Sequence, residues 1–178
     1  MQPGSCIVRA VKFAADKHSA HRRKDAAATP YFNHLAEVAE ILVSVAGVDD
    51  AEILAAAYLH DTIEDTDTSR EELAAEFGPR VAELVEAVSD DKSLPKQRRK
   101  ELQIEHAAHA SAEAGLLKLA DKIANLRSLL VNPPPTWGAE RVAAYFAWAQ
   151  RVVDALPAKD AALFAEFSRV QQAFAARR

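Results

Sequence analysis

The chain has 178 residues, 49% of them hydrophobic, with a formal net charge of −4 at pH 7 and one cysteine, Cys6. That length suits a single domain with a real core, and the acidic balance argues against general attraction to nucleic acid. A lone cysteine excludes an internal disulfide or a thiolate-rich metal site, and without a membrane-length apolar run or a signal-peptide core the expected location is cytoplasmic, with no membrane partner.

Alanine is abundant, glycine is scarce, and few stretches alternate β-branched residues, so the expected fold is all-α. Ile7 to Lys17 reads as a first helix, with Ile7, Val11, Ala14 and Ala15 on one side. It leads into His18-Ser19-Ala20-His21-Arg22-Arg23-Lys24-Asp25 and then small residues ending at Thr29-Pro30. Three consecutive cations before a loop have two readings, a solvated patch or a clamp for a polyanion. In a clamp, Arg gives planar bidentate contacts to phosphate and stacks on a base, while Lys adds a point charge.

Tyr31 to Val45 is the second helix, and His34 continues its stripe of Val38, Ile41 or Leu42, and Val45. On that helix alone, His34 reads as a core histidine. Gly47 ends the helix, and Asp49 or Asp50 can cap the next. That third helix runs through the apolar stretch Ile53 to Leu59 into His60-Asp61-Thr62-Ile63-Glu64-Asp65. Positions four apart share a helical face, so Glu64 is expected under His60 and Asp65 under Asp61. The first pair can hold a metal and the second can handle the water on it. Crowding carboxylates at the end of an apolar helix costs stability unless a cation is present.

Asp67-Thr68-Ser69-Arg70-Glu71-Glu72 carries a capping signature for a short helix to about Phe77, ended by Gly78-Pro79. Val81 to Val88 is amphipathic, and Ser89 to Pro95 reads as an exposed loop. Lys96 to Ala110 is helical again; its basic first turn, Lys96-Gln97-Arg98-Arg99-Lys100, reads as a solvated face and His106 and His109 as bystanders. Ser111 caps a helix whose core, Leu116 to Leu130, is largely apolar but carries Asp121 and Asn125 on one face. A buried Asp needs a metal or a partner, and Lys118 and Lys122 are both at hand. Asn132-Pro133-Pro134-Pro135 is a stiff connector. Trp137 to Leu156 is the next helix, with Tyr145 able to turn its hydroxyl into a pocket. Ala161 to Ala175, with Leu163, Phe164, Phe167, Val170 and Phe174, is structural or oligomeric.

Taken together, His34, His60, Asp61 and Asp121 form an H…HD…D set from three helices. Two imidazoles and two carboxylates suit Mn²⁺, Fe²⁺, Co²⁺ or Zn²⁺ with positions left open. This pattern resembles the signature of the HD phosphohydrolase superfamily. The flanking residues are more specific: His21 to Asp25, Pro30-Tyr31 with Asn33-His34, His60 to Thr66, Phe77-Gly78, Ser89 to Lys92, and Lys118 to Lys122. Together they resemble the hydrolase domain of the RelA/SpoT alarmone enzymes, and most closely the stand-alone small alarmone hydrolases that include the metazoan SpoT homologue. The resemblance spans roughly residues 7–156 of a single 1–178 domain, with 157–178 an extra helix.

The resemblance implies a single HD-domain bundle of about eight to ten helices. It also implies removal of the 3′-diphosphate from ppGpp or pppGpp, giving GDP or GTP and pyrophosphate, with Mn²⁺ preferred. By the same resemblance, His34, His60, Asp61 and Asp121 ligate the metal, and Glu64 and Asp65 activate the attacking water. Arg23 matches the residue that stacks on guanine, and Lys24 lies by the nucleotide and its phosphates. Asn125 and Tyr145 match ribose or phosphate contacts, and Lys96 a phosphate-side lysine. Leu35 stands where the family often has Pro, and Ser89 where Thr is common; neither touches the chemistry. The rival expectations are a 2′-phosphatase acting on NADPH, another HD-type nucleotide phosphohydrolase, or an alarmone-binding module without turnover. Either a monomer or a homodimer fits the chain.

Overall fold

Side-chain caps set four of the helix starts in the computed structural model, which describes residues 3–177. In chain order the helices are α1 (Pro3–Lys17), α2 (Phe32–Ser44), α3 (Ala51–Leu59), α4 (Thr62–Asp65) and α5 (Arg70–Phe77). They are followed by α6 (Pro79–Val88), α7 (Lys96–Ala107), α8 (Ala112–Val131), α9 (Ala139–Ala155) and α10 (Ala161–Ala175). The protein is all-α; among the described residues the only β pairing is an isolated bridge between Arg22 and Pro30. The Asp50 carboxylate accepts from the Glu52 and Ile53 amides, Ser69 from Glu72, and Ser111 from Ala114. Each therefore satisfies amides that a helix start leaves unpaired.

Two helices lie at the centre. α3 buries Ile53, Leu54, Ala55, Ala56, Ala57 and Leu59 and packs on α1, α2, α6 and α8. α8 packs on α2, α3, α6, α9 and α10. Alanine on nearly every face of α3 is what lets four helices close around it. His60, at the end of α3, and Asp121, midway along α8, are thereby fixed at the centre of the helical packing. α10 lies on α8 through Leu163, Phe167 and Val170, and Phe174 stacks on Phe146 at 3.9 Å. Phe164, expected in the same stripe, is instead 36% exposed. No helix among the described residues is long and apolar enough to cross a membrane.

Helix ends shift by a few residues from expectation, as where α7 stops at Ala107 and α9 starts at Ala139, and two departures matter more. α1 begins at Pro3 rather than Ile7, because proline is tolerated in a first helical turn. More consequentially, the helix does not continue from α3 through Asp65. The Thr62 hydroxyl donates to the Leu59 carbonyl at 2.6 Å, and Asp61 sits at φ −99°, ψ 0°, so α3 ends and α4 starts afresh. Glu64 and Asp65 thus belong to a separate short helix.

Arg80, on α6, draws three helix starts together. Its guanidinium reaches Asp50 at 2.9 Å, Glu52 at 2.8 Å and Glu113 at 2.7 Å. Replacing Arg80 with Ala leaves three neighbouring carboxylates without their shared cation. The expected loss is about 1–2 kcal/mol in urea denaturation, with far less lost for Arg98→Ala on the exposed face of α7.

Candidate active site

Three buried or half-buried side chains from α2, α3 and α8 converge. His34, His60 and Asp121 each present one ligand atom, all within 4.8 Å of one another. His34 Nε2 lies 3.1 Å from Asp121 Oδ1 and 3.7 Å from Asp61 Oδ2; His60 Nε2 lies 3.1 Å from Asp61 Oδ2 and 3.8 Å from Asp121 Oδ1. Asp61 therefore faces the same point from the α3–α4 junction.

The tautomer of His60 follows from its surroundings. Its Nδ1 is 2.8 Å from the Ala57 carbonyl, which can only accept, so Nδ1 carries a proton and Nε2 is the nitrogen turned towards the cluster. That buried Nε2 makes no well-formed hydrogen bond, although Asp61 Oδ2 lies 3.1 Å away. Burial opposes charge on the ring, but the Asp61 and Asp121 carboxylates outweigh it and raise the pKa to about 9, so a cation binding at Nε2 would displace a proton there. Burial lowers the pKa of His34, keeping that ring neutral. Burial also works against ionising Asp61 and Asp121. It is overcome at Asp61 by His60, and at Asp121 by Lys122, so both stay well below the usual carboxylate range. Lone pairs and carboxylate oxygens aimed at one point, with an orphaned imidazole nitrogen among them, fit a divalent cation.

The surrounding side chains fix these ligands in place. The Tyr31 hydroxyl donates to Asp61 Oδ2 at 2.7 Å, and burial followed by the Asp61 charge keeps the phenol protonated. Lys122 Nζ is 2.8 Å from Asp121 Oδ2, and Asn125 Nδ2 donates to Asp121 Oδ1 at 2.6 Å. Asp121 thus faces the imidazoles with one oxygen and pairs with Lys122 through the other, so its geometry admits both sequence readings. Such supporting contacts orient ligands and tune their basicity. Tyr31 and Lys122 carry no periodic signal for this role; only the folded contacts reveal it.

Glu64 and Asp65 sit beside the cluster. Burial, then the Asp61, Asp90 and Asp65 carboxylates, push the Glu64 pKa up to about 7. The Asp90 amide donates to Glu64 Oε2 at 3.2 Å, and Lys92 pairs with Asp65. The segment read as an exposed loop is therefore tied to both acids at Asp90 and Lys92, and Asp90 itself is half-buried.

Two adjoining clefts lie beside the cluster, one bordered by Tyr31 and Asn125, the other by Glu64. One is lined by Arg23, Lys24, Tyr31, Asn125, Trp137 and Tyr145. Its Arg23 guanidinium lies 5.7 Å from the Tyr31 ring centre and donates to Asn125 Oδ1 at 3.3 Å. Asp25 builds the loop that presents Arg23, accepting from the Thr29 amide at 3.1 Å and hydroxyl at 2.6 Å. The other cleft is lined by Lys24, Lys96, Arg99, Lys100 and Arg141, with Glu64 and Asp90 on its wall. Burial, then Arg141 and Lys24, lower the pKa of Lys96. Arg99, Lys100 and Arg141 were not singled out by the sequence; Arg99 and Lys100 lay hidden in a basic turn that looked solvated. Lys24, Trp137 and Tyr145 line both clefts, and burial raises the Tyr145 pKa to about 12. His106 and His109 are exposed, away from the cluster.

A family model described as HD domain matches residues 10–151. A zebrafish protein named guanosine-3′,5′-bis(diphosphate) 3′-pyrophosphohydrolase MESH1 is 50% identical over 157 residues, covering 88% of this chain and 87% of its own. The human protein of the same name is 52% identical over 150 residues, 84% of each chain. A solved structure of a metazoan orthologue of SpoT, described as hydrolysing ppGpp, superposes with a TM-score of 0.92 at 47% identity, covering 97% of both chains.

Proposed function

Since this chain belongs to the HD domain family, among the small alarmone hydrolases, we propose that it is a metal-dependent (p)ppGpp 3′-pyrophosphohydrolase. The observation that carries this reading is the convergence of His34, His60 and Asp121 near Glu64, beside two clefts lined with cations. Here Mn²⁺ is the proposed ion, held by His34, His60, Asp61 and Asp121. Bound there, it would supply positive charge that acidifies water and draws charge from the phosphate under attack.

The remaining steps fall to the chain's own side chains. Water forms a bond to the phosphorus joined to the ribose 3′-oxygen, and the 3′ O–P bond breaks. Pyrophosphate leaves, the 3′-oxygen takes up a proton, and GDP or GTP remains. Glu64, with Asp65, orients the water and accepts its proton; a carboxylate with a pKa near 7 suits that exchange at neutral pH. Arg23 is proposed to stack on the guanine, with Asn125 and Tyr145 on the ribose or phosphates. Lys24 and Lys96 offset the diphosphate charge that an acidic protein would otherwise repel. The ion pair in which Lys122 donates to Asp121 leaves Lys122 occupied, so it is not among the proposed substrate contacts. A cytoplasmic location belongs to the same reading.

The test is to strip the protein of metal, incubate it with ppGpp with and without Mn²⁺, and separate the products. GDP and pyrophosphate appearing only with Mn²⁺ is the expected result. Intact ppGpp under conditions where Mn²⁺ binds would refute the substrate. Release of inorganic phosphate from NADPH in a parallel tube would then favour the 2′-phosphatase.

A further inference from the structure

Glu64 sits among like charges, yet its carboxylate is gripped at both oxygens, and both grips trace to one face of α7. Arg99 Nη1 lies 3.6 Å from Glu64 Oε1, and its side chain is only 24% exposed. At the other oxygen, the Asp90 amide donates to Oε2 at 3.2 Å. Asp90 is held in turn by Gln103 Nε2, which donates to its Oδ2 at 2.7 Å. Arg99 and Gln103 are four residues apart and so share a helical face. α7 is itself pinned to α9, where the Trp148 indole donates to the Lys100 carbonyl at 3.0 Å.

We propose that Arg99 is a positioning residue, which with Gln103 acting through Asp90 fixes the rotamer of Glu64 over the site. This rests on the reading of Glu64 as the base. With Asp61, Asp65 and Asp90 all nearby, an unrestrained Glu64 side chain would swing towards solvent, away from the other carboxylates. Arg99 supplies the one cation in contact with it among the described residues. The Arg99 Nε is buried without a hydrogen-bond partner, so that end of the guanidinium is closed off from solvent. Holding a base to within fractions of an ångström affects the chemical step and leaves ground-state binding alone.

The experiment measures kcat and KM for ppGpp with Mn²⁺ in Arg99→Gln, Arg99→Lys, Gln103→Leu, Glu64→Gln and the double variant Glu64→Gln/Arg99→Gln, with melting curves for each. Arg99→Gln is expected to lower kcat by about 10- to 100-fold with KM little changed. Arg99→Lys recovers most of that loss, Gln103→Leu loses less, and adding Arg99→Gln to Glu64→Gln costs nothing more. An unchanged kcat in Arg99→Gln overturns the proposal while Glu64→Gln still tests the base. A raised KM with kcat intact also overturns it, by placing Arg99 on the substrate. If Glu64→Gln keeps full activity, the base assignment fails instead. The melting curves then decide: strictly additive shifts in the double variant rule the contact out, and non-additive shifts retain it.

Discussion

Replacing Glu64 with Gln, or Asp65 with Asn, is expected to lower turnover by about 10²- to 10⁴-fold while Mn²⁺ still binds. Gln keeps the size of Glu64 and a carbonyl oxygen that can still accept from the Asp90 amide, so the fold and the nearby ligands stay in place. What it removes is the ability to take a proton. Asn at position 65 likewise keeps the shape but gives up the charge that pairs with Lys92. Neither residue belongs to the set of atoms that meet within 4.8 Å, so titration with Mn²⁺ should give near-native affinity in both variants. The pH profile adds a signed check. A base works only when deprotonated, so kcat should rise with pH through the ionisation of Glu64. Burial and the flanking carboxylates set this near 7, and a cation in the cluster pulls it lower. Glu64→Gln should flatten that acid limb. Full activity in both variants would remove these two residues from the mechanism.

How far the sequence reaches can be argued from these same residues. Helix positions were legible because caps and stops are local: Asp50, Ser69 and Ser111 announce helix starts by their own chemistry. His34, by contrast, is indistinguishable from a core histidine within its own helix. Its meaning depends on His60 and Asp121 lying close in space, which no local pattern encodes. The break at His60–Asp61 was missed because it hinges on one hydroxyl, Thr62, capturing the Leu59 carbonyl. Arg22 is exposed and donates to the Ser19 and His21 carbonyls, yet with Arg23 and Lys24 it also lines the first cleft, so the run is not simply a solvated patch. The second cleft was least legible of all, because α7 looks like a solvated basic helix until α9 is seen behind it.

Asp121→Asn is expected to abolish both Mn²⁺ binding and turnover, and it separates the two readings of that residue most sharply. Asp121 Oδ1 faces both imidazoles, and Oδ2 neutralises Lys122, whose side chain is only 7% exposed. Asn retains a hydrogen-bond acceptor for Lys122 but surrenders the negative charge that a cation needs. Removing that charge also leaves the buried ammonium without its ionic partner, a change costing about 3–5 kcal/mol when a buried pair is broken. Loss of activity alone would therefore be ambiguous, since a damaged fold gives the same result. The decisive readout is the stabilisation conferred by Mn²⁺ on each protein. A cation that binds only the folded state adds about 2.7 kcal/mol at a hundredfold excess over its Kd. The wild-type melting temperature should climb accordingly with added Mn²⁺, and that of Asp121→Asn should stay where it starts. If the variant gains as much from Mn²⁺ as the wild type does, Asp121 serves Lys122 alone, and the cation must be held by His34, His60 and Asp61 without it.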